Sequence, residues 1–285
     1  MIVPRKVVEE KLRQILAEDV GKGDVTSEAV VPAGLTADAV VLVKEAGVAA
    51  GIEETVIFAE SLGLSLKAEA TDGDEVKKGT VILKISGNAR AILSAERTLL
   101  NLLSRMSGIA TATRRLTEKL RKANLKAKVA ATRKTAPGLL YFDKKAVVVG
   151  GGDPHRLRLD DMILLKDNHV AIAGSVENAV KKAKAYGSGK KIEAEVTSTE
   201  DALEAAEAGA DIVMLDNFSP EQVKEAVAAL KKAGFFGKVL LEVSGGITEQ
   251  NLLEYASAQV DVISMGALTH SIKALDISLE IVNVK

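Results

Sequence analysis

The chain has 285 residues, 47% hydrophobic and 27% charged, with 38 Lys and Arg against 39 Asp and Glu and no cysteine. That length allows one large domain or two ordinary ones with a well-buried core. A formal net charge of −1 argues against a general binder of nucleic acid or membrane surface, and a cysteine-free chain excludes disulfides, thiolate catalysis and Cys-ligated metals.

Met1 to Glu10 is charged almost at once and lacks the apolar core of a signal peptide. No apolar run approaches the roughly 20 residues of a membrane span, so a cytoplasmic location is expected. Residues 5–18 place Val7, Val8, Leu12, Ile15 and Leu16 on one helical face. Asp19 to Ser27 is a turn-rich loop in which Asp24 or Thr26 is placed to cap a short helix. Residues 38–86 read as a small strand-rich layer, with a helix over Glu53–Leu62. Within that layer, Thr71 to Leu83 resembles the turn-and-strand unit of biotinyl and lipoyl carriers. No hairpin displays a lysine there, which favours structural use. Ala91 to Lys122 reads as one long helix or a pair broken at Gly108. Its broad apolar surface (Ile92, Leu99, Leu103, Met106, Ile109) implies burial on more than one side. The expected domains are 1–110 and 111–270, with 271–285 packing back on the first.

From about residue 126 the pattern changes. Short apolar runs end in residues able to touch an anion, a metal or a sugar: Lys128–Thr132 into Arg133-Lys134, Met162–Leu165 into Lys166, Ile192–Ala194 into Glu195, Ile212–Leu215 into Asp216. Val239–Val243 runs into Ser244-Gly245-Gly246, and Val262-Ile263 into Ser264-Met265-Gly266. Helical patterns separate most of them, with Ser198 and Ser219 at N-cap positions and Gly209 and Gly234 after helices. The fold class read from this is α/β: an N-terminal layer followed by an open, incomplete β/α barrel of about six strands. Barrels of this kind build their ligand site where the strands end.

The residue types at those ends divide by chemistry. Arg133, Lys134, His155, Arg156 and Lys166 form a cationic set, Arg as a planar fork for carboxylate or phosphate and Lys as a movable point charge. Taken singly, each reads as a solvated surface charge; at a strand end the functional reading is stronger. Arg97, inside an apolar helix, reads either as an intrahelical partner of Glu96 or as a charge lent across an interface. Gly150-Gly151-Gly152 before His155-Arg156 permits close backbone approach. His169 reads as a supporting group and His270 as structural. Glu195 and Asp216 are either N-cap acids or a pair that holds Mg²⁺ through water and accepts sugar hydroxyls. The glycine-bearing ends after Val243 and Ile263 suit a phosphate. Together these features point to a polyanionic ligand carrying phosphate and sugar, with Mg²⁺.

In order along the chain stand Thr132-Arg133-Lys134-Thr135, Gly150 to Arg156, Leu165 to His169, Glu193 to Val196, Met214 to Asn217, Ser244 to Ile247 and Ser264 to Gly266, with Glu96-Arg97-Thr98 and Gly21 to Asp24 before them. With these motifs the whole chain resembles the quinolinate phosphoribosyltransferases. The resemblance implies an α/β sandwich followed by a seven-element open barrel, the seventh element falling within Tyr141 to Val149. It implies a nicotinate-nucleotide pyrophosphorylase (carboxylating) activity on quinolinate and phosphoribosyl pyrophosphate, in a homodimer or hexamer with Arg97 reaching the neighbouring subunit's site. On the same ground, Arg97, Arg133, His155 and Arg156 hold the quinolinate carboxylates. Lys134 and Lys166 neutralise pyrophosphate, and Ser244, Gly245, Gly246, Ser264, Met265 and Gly266 cradle the 5′-phosphate. Glu195 and Asp216 serve ribose and Mg²⁺. The alternatives are a nicotinate or molybdate-cluster homologue, or a non-catalytic phosphosugar-binding barrel.

Overall fold

A computed structural model describes residues 3–285. In chain order the elements are α1 (Arg5–Val20), α2 (Val25–Val30), β1 (Thr36–Val43), β2 (Gly47–Val48), α3 (Ile52–Ser61), β3 (Ser65–Ala68), β4 (Glu75–Val76), β5 (Val81–Asn88) and α4 (Ala89–Lys122). There follow β6 (Lys128–Ala130), α5 (Leu140–Val149), β7 (Ile163–Leu165), α6 (Asp167–Ala173), α7 (Val176–Ala185), β8 (Ile192–Val196) and α8 (Thr199–Ala208). The chain continues through β9 (Ile212–Asp216), α9 (Pro220–Lys232), β10 (Leu240–Ser244), α10 (Leu252–Ser257), β11 (Val262–Ser264), α11 (Ala267–His270) and β12 (Ile277–Val284). No helix among the described residues is long and apolar enough to cross a membrane.

The chain forms two compact units. One takes residues up to 114 together with 136–151 and 271–285; the other takes 115–135 and 152–270. A single cut near residue 110 does not describe this, because 136–151 belong with the first unit. In that unit a four-stranded sheet runs in the order β12-β1-β5-β3. Ala37, Ala39, Val41 and Val43 of β1 are buried on alternate positions, as expected of a strand with one face on a core. Asp24 caps α2 by accepting the Ser27 N–H at 3.0 Å.

Two expectations fail here. Gly108 does not break α4, which runs unbroken for 34 residues. It is needed for close approach instead, since a Cβ there would come 2.2 Å from the Lys273 carbonyl oxygen and 3.0 Å from Ala274 Cα. The missing barrel element is not in Tyr141–Val149 either, for that stretch is helix α5. Asp143, Lys144 and Lys145 interrupt any two-residue alternation, and all three are buried on the helix.

The second unit carries a six-stranded sheet in the order β6-β11-β10-β9-β8-β7, with every pairing parallel. Ile212 to Leu215 of β9 are all buried, as befits a strand covered on both faces. Ser175, Ser198 and Ser219 cap α7, α8 and α9, each hydroxyl accepting a backbone N–H from the third residue on. A seventh strand is reduced to one residue, Asp153. Its N–H donates to Val129 O at 2.8 Å and its carbonyl accepts from Ala131 N–H at 3.0 Å, on the free edge of β6.

Candidate active site

A cavity of about 360 Å³ opens at the C-terminal ends of these parallel strands. The sheet order sorts the strand-end residues around its rim. His155 and Arg156 lie beyond β6, then come Arg133 and Lys134 after β6, Ser264 on β11, Ser244 and Gly245 on β10, Asp216 on β9, Glu195 on β8, and Lys166 after β7. Residues far apart in sequence thereby become neighbours. Thr269 Oγ1 donates to the Lys134 carbonyl at 2.7 Å, and a Cβ on Gly266 would stand 3.2 Å from Lys134 Cδ.

Below the cationic end lies a buried ionic floor. The Asp153 carboxylate accepts the His155 N–H at 2.7 Å, and His155 adopts φ +52°, a left-handed backbone rare outside glycine. This turn sends the ring between two strands, with Nε2 3.1 Å from Glu242 Oε2 and 3.2 Å from Glu193 Oε2. Burial alone would depress the imidazole, but the two acids prevail and carry its pKa up to about 10. Arg156 is also buried, and burial together with nearby Arg133 pulls its guanidinium below the ordinary value. Burial raises Glu193 in turn.

The opposite wall carries the carboxylates. Burial lifts Glu195 above the usual carboxylate range, Lys166 opposing and Asp216 adding to the lift. Asp216 is raised by burial as well, against the pull of Lys134 and Lys166. Lys166 Nζ lies 3.6 Å from Glu195 Oε2. Its backbone is held in turn by His169, whose Nδ1 accepts the Lys166 N–H at 2.9 Å, the supporting part expected of that histidine. The Asn217 amide donates to Asp216 Oδ2 at 2.6 Å. Two carboxylates with like-charge influence on each other, backed by oxygen and amide chemistry, fit a hard divalent cation that keeps most of its water.

At the glycine end, Gly245 has φ +95° and a Cβ there would stand 2.2 Å from Asn217 Oδ1, so only glycine fits. Gly246, Met265 and Gly266 are not part of the cavity wall, and Met265 is buried. Ser264 does reach the wall, but its hydroxyl is committed to Glu242 Oε1 at 2.5 Å. Arg97 is exposed on α4 in the first unit and makes no hydrogen bond or ion pair with any described residue, Glu96 included. Sequence reasoning passed over Glu242 and gave Glu193 no role. A signal was available: each stands two residues before a recognised strand-end group, Glu195 or Ser244, and so on the same strand face.

Comparison with known proteins agrees with this geometry. Residues 24–107 match the N-terminal domain and 109–280 the C-terminal domain of quinolinate phosphoribosyl transferase. The chain is 49% identical over 276 residues to a probable nicotinate-nucleotide pyrophosphorylase [carboxylating] of Methanocaldococcus jannaschii, covering 95% of this chain and 96% of the relative. A protein of the same description from Methanothermobacter thermautotrophicus is 46% identical, covering 96% and 99%. The solved nicotinate-nucleotide pyrophosphorylase of Francisella tularensis superposes with a TM-score of 0.89 at 38% identity, covering 98% of this chain and 97% of that one.

Proposed function

The chain belongs to the quinolinate phosphoribosyltransferase family, and on that premise we propose that it makes nicotinate mononucleotide. Phosphoribosyl pyrophosphate and quinolinate are consumed, pyrophosphate and carbon dioxide are released, and the product feeds NAD biosynthesis. The observation that carries the reading is the sorted rim: cations at β6, glycine ends at β11 and β10, carboxylates at β9 and β8. A substrate pair with two ring carboxylates, a 5′-phosphate, ribose hydroxyls and a pyrophosphate needs those chemistries side by side.

Arg133, His155 and Arg156 hold the quinolinate carboxylates, with the guanidinium forks fixing the ring plane. Lys134 and Lys166 neutralise pyrophosphate as the C1′–O bond breaks, and the backbone at Ser244 to Gly246 and at Gly266 receives the 5′-phosphate. Glu195 and Asp216 accept ribose hydroxyls and favour the cationic ribosyl transition state. They would also hold Mg²⁺ through water, which when bound supplies charge neutralisation of the pyrophosphate. Attack by the ring nitrogen gives a pyridinium. The adjacent carboxylate then leaves as carbon dioxide, its bonding pair stays on ring carbon next to that positive nitrogen, and a proton completes the product. Positioning and electrostatics carry the reaction without a covalent enzyme intermediate.

Arg97, exposed and unpaired, belongs in this proposal as a residue supplied to a second subunit's cavity within a dimer or hexamer. A mixture of Arg97→Ala and Glu195→Ala chains should then regain turnover that neither has alone; no regain would remove Arg97 from the site. The polyanionic substrates do not cross membranes, so the enzyme should reside in the cytoplasm, which cell fractionation checks. The deciding experiment for the function is release of carbon dioxide from carboxyl-labelled quinolinate. It should require both phosphoribosyl pyrophosphate and Mg²⁺, and release independent of either overturns the reading. Arg133→Ala should lose quinolinate binding while keeping its unfolding transition; normal turnover in that variant would remove Arg133 from the site.

A further inference from the structure

We propose that Glu193 and Glu242 are positioning residues for this reaction, anchoring the His155 ring by Nε2 so that its Nδ1–H faces the quinolinate carboxylates as a fixed donor. The inference rests on the function proposed above and adds two buried acids that touch no substrate.

Four features of the floor support it. First, Nε2 is fully used, lying 3.1 Å from one carboxylate and 3.2 Å from the other, so His155 meets a ligand only through Nδ1 or its ring face. Second, Glu242 is itself oriented, because Ser264 on β11 donates to its Oε1 at 2.5 Å and leaves Oε2 for the imidazole. Third, Glu193 is fully buried, and neither of its side-chain oxygens has a hydrogen bond with the described residues. Its close approach to Nε2 is the one ion pair it makes among them, so the charge of His155 is what compensates its burial. Fourth, the His155 backbone is fixed from the other side by the Asp153 carboxylate in a left-handed turn. The ring is therefore set from above by a turn and from below by acids on two strands that flank β9.

The chemistry requires such a clamp. A neutral imidazole has one N–H, and if that proton sits on Nε2 the lone pair of Nδ1 faces the substrate and repels a carboxylate. Two acids below demand a proton on Nε2 and, by their combined charge, keep a second on Nδ1. The same pair offsets Arg156, so two cations stay buried beside Arg133 without mutual repulsion closing the site to a dianion. Ser264, expected as a phosphate ligand, acts here through Glu242.

Glu242→Gln and Glu193→Gln, each in the full-length protein, test this by steady-state kinetics. Each should raise the KM for quinolinate about tenfold while leaving the KM for phosphoribosyl pyrophosphate within about twofold, a split that general loss of structure does not give. Ser264→Ala keeps both acids and loses only the orienting hydroxyl, so it should show the same split at about threefold. It stands in if either glutamine variant fails to fold. Unchanged quinolinate KM, or equal changes in both KM values, would overturn the positioning role. Absence of wild-type turnover would instead sink the function and this inference with it.

Discussion

In the first unit the Lys145 ammonium lies 2.6 Å from Glu53, 2.6 Å from Glu54 and 3.1 Å from Asp72, while in the second His155 sits 3.1 and 3.2 Å from Glu242 and Glu193. Both are buried cations ringed by carboxylates, and both are held charged by them against the opposing effect of burial. They differ in what remains unused. An ammonium has three donors, and Lys145 has three acids; Tyr141 seals the cluster by donating to Glu54 at 2.7 Å. Imidazolium has two N–H groups and gives both acids the same one. Arg105 and Asp143, paired through two hydrogen bonds at 2.7 and 2.8 Å, repeat the closed pattern in the first unit. A saturated buried ion cluster ties elements together, whereas an unsaturated one beside a cavity is equipped to bind.

Breaking the closed cluster should have the largest effect on stability. Lys145→Met leaves three carboxylates near one another without their cation and should cost about 3–5 kcal/mol. Denaturant unfolding measures this, and the folded fraction should keep its substrate KM values. Altered KM with intact stability would erase the distinction between the clusters.

A smaller effect separates the open cluster by pH. The folded pKa of His155, about 10, lies above its ordinary value of 6.5, so the stabilisation it brings is complete below pH 6.5 and is lost as pH rises towards 10. The unfolding free energy should fall on the order of 1–3 kcal/mol between pH 7 and 10, and His155→Gln should flatten that slope. Parallel slopes in the two proteins would contradict the charged state assigned to His155.

The smallest effect is a control remote from both clusters. Ser219→Ala removes the α9 cap, in which Ser219 Oγ accepts from Gln222 N–H at 3.3 Å, and should cost about 1 kcal/mol with kinetics unchanged. A kinetic change there would show that stability and the site are coupled more widely than the two clusters imply.

The strand ends were readable because each closes an apolar run in a repeating β–α pattern, which fixes position and exposure together. Arg133, Lys166, Glu195 and Asp216 duly meet on one cavity wall or its rim. Resemblance supplied the substrates, which charge and spacing alone narrow only to a phosphosugar and an anion. Interior groups were harder to read. Asp143-Lys144-Lys145 looks like a solvated charge run, and only tertiary partners on α3 and α4 bury it. Gly108 looked like a helix break because the backbone that crosses it comes from residues 273 and 274, far along the chain. Tyr141–Val149 looked like a strand because its apolar ends resemble one, while its charged centre needed those same distant partners.

Strand β12 has a consequence for how the chain is made. It pairs with β1 along its length, Ala37 opposite Val284 and Val43 opposite Ile277. During synthesis, β1 emerges early and must wait for more than two hundred residues, including every strand of the parallel sheet, before that neighbour exists. The second unit's strands are therefore all available before the first unit's sheet can be completed, and the waiting edge of β1 is an open template for pairing with another nascent chain. The order of translation thus runs against the order of the units, and a helper that shields β1 would act on the ribosome before any substrate is met.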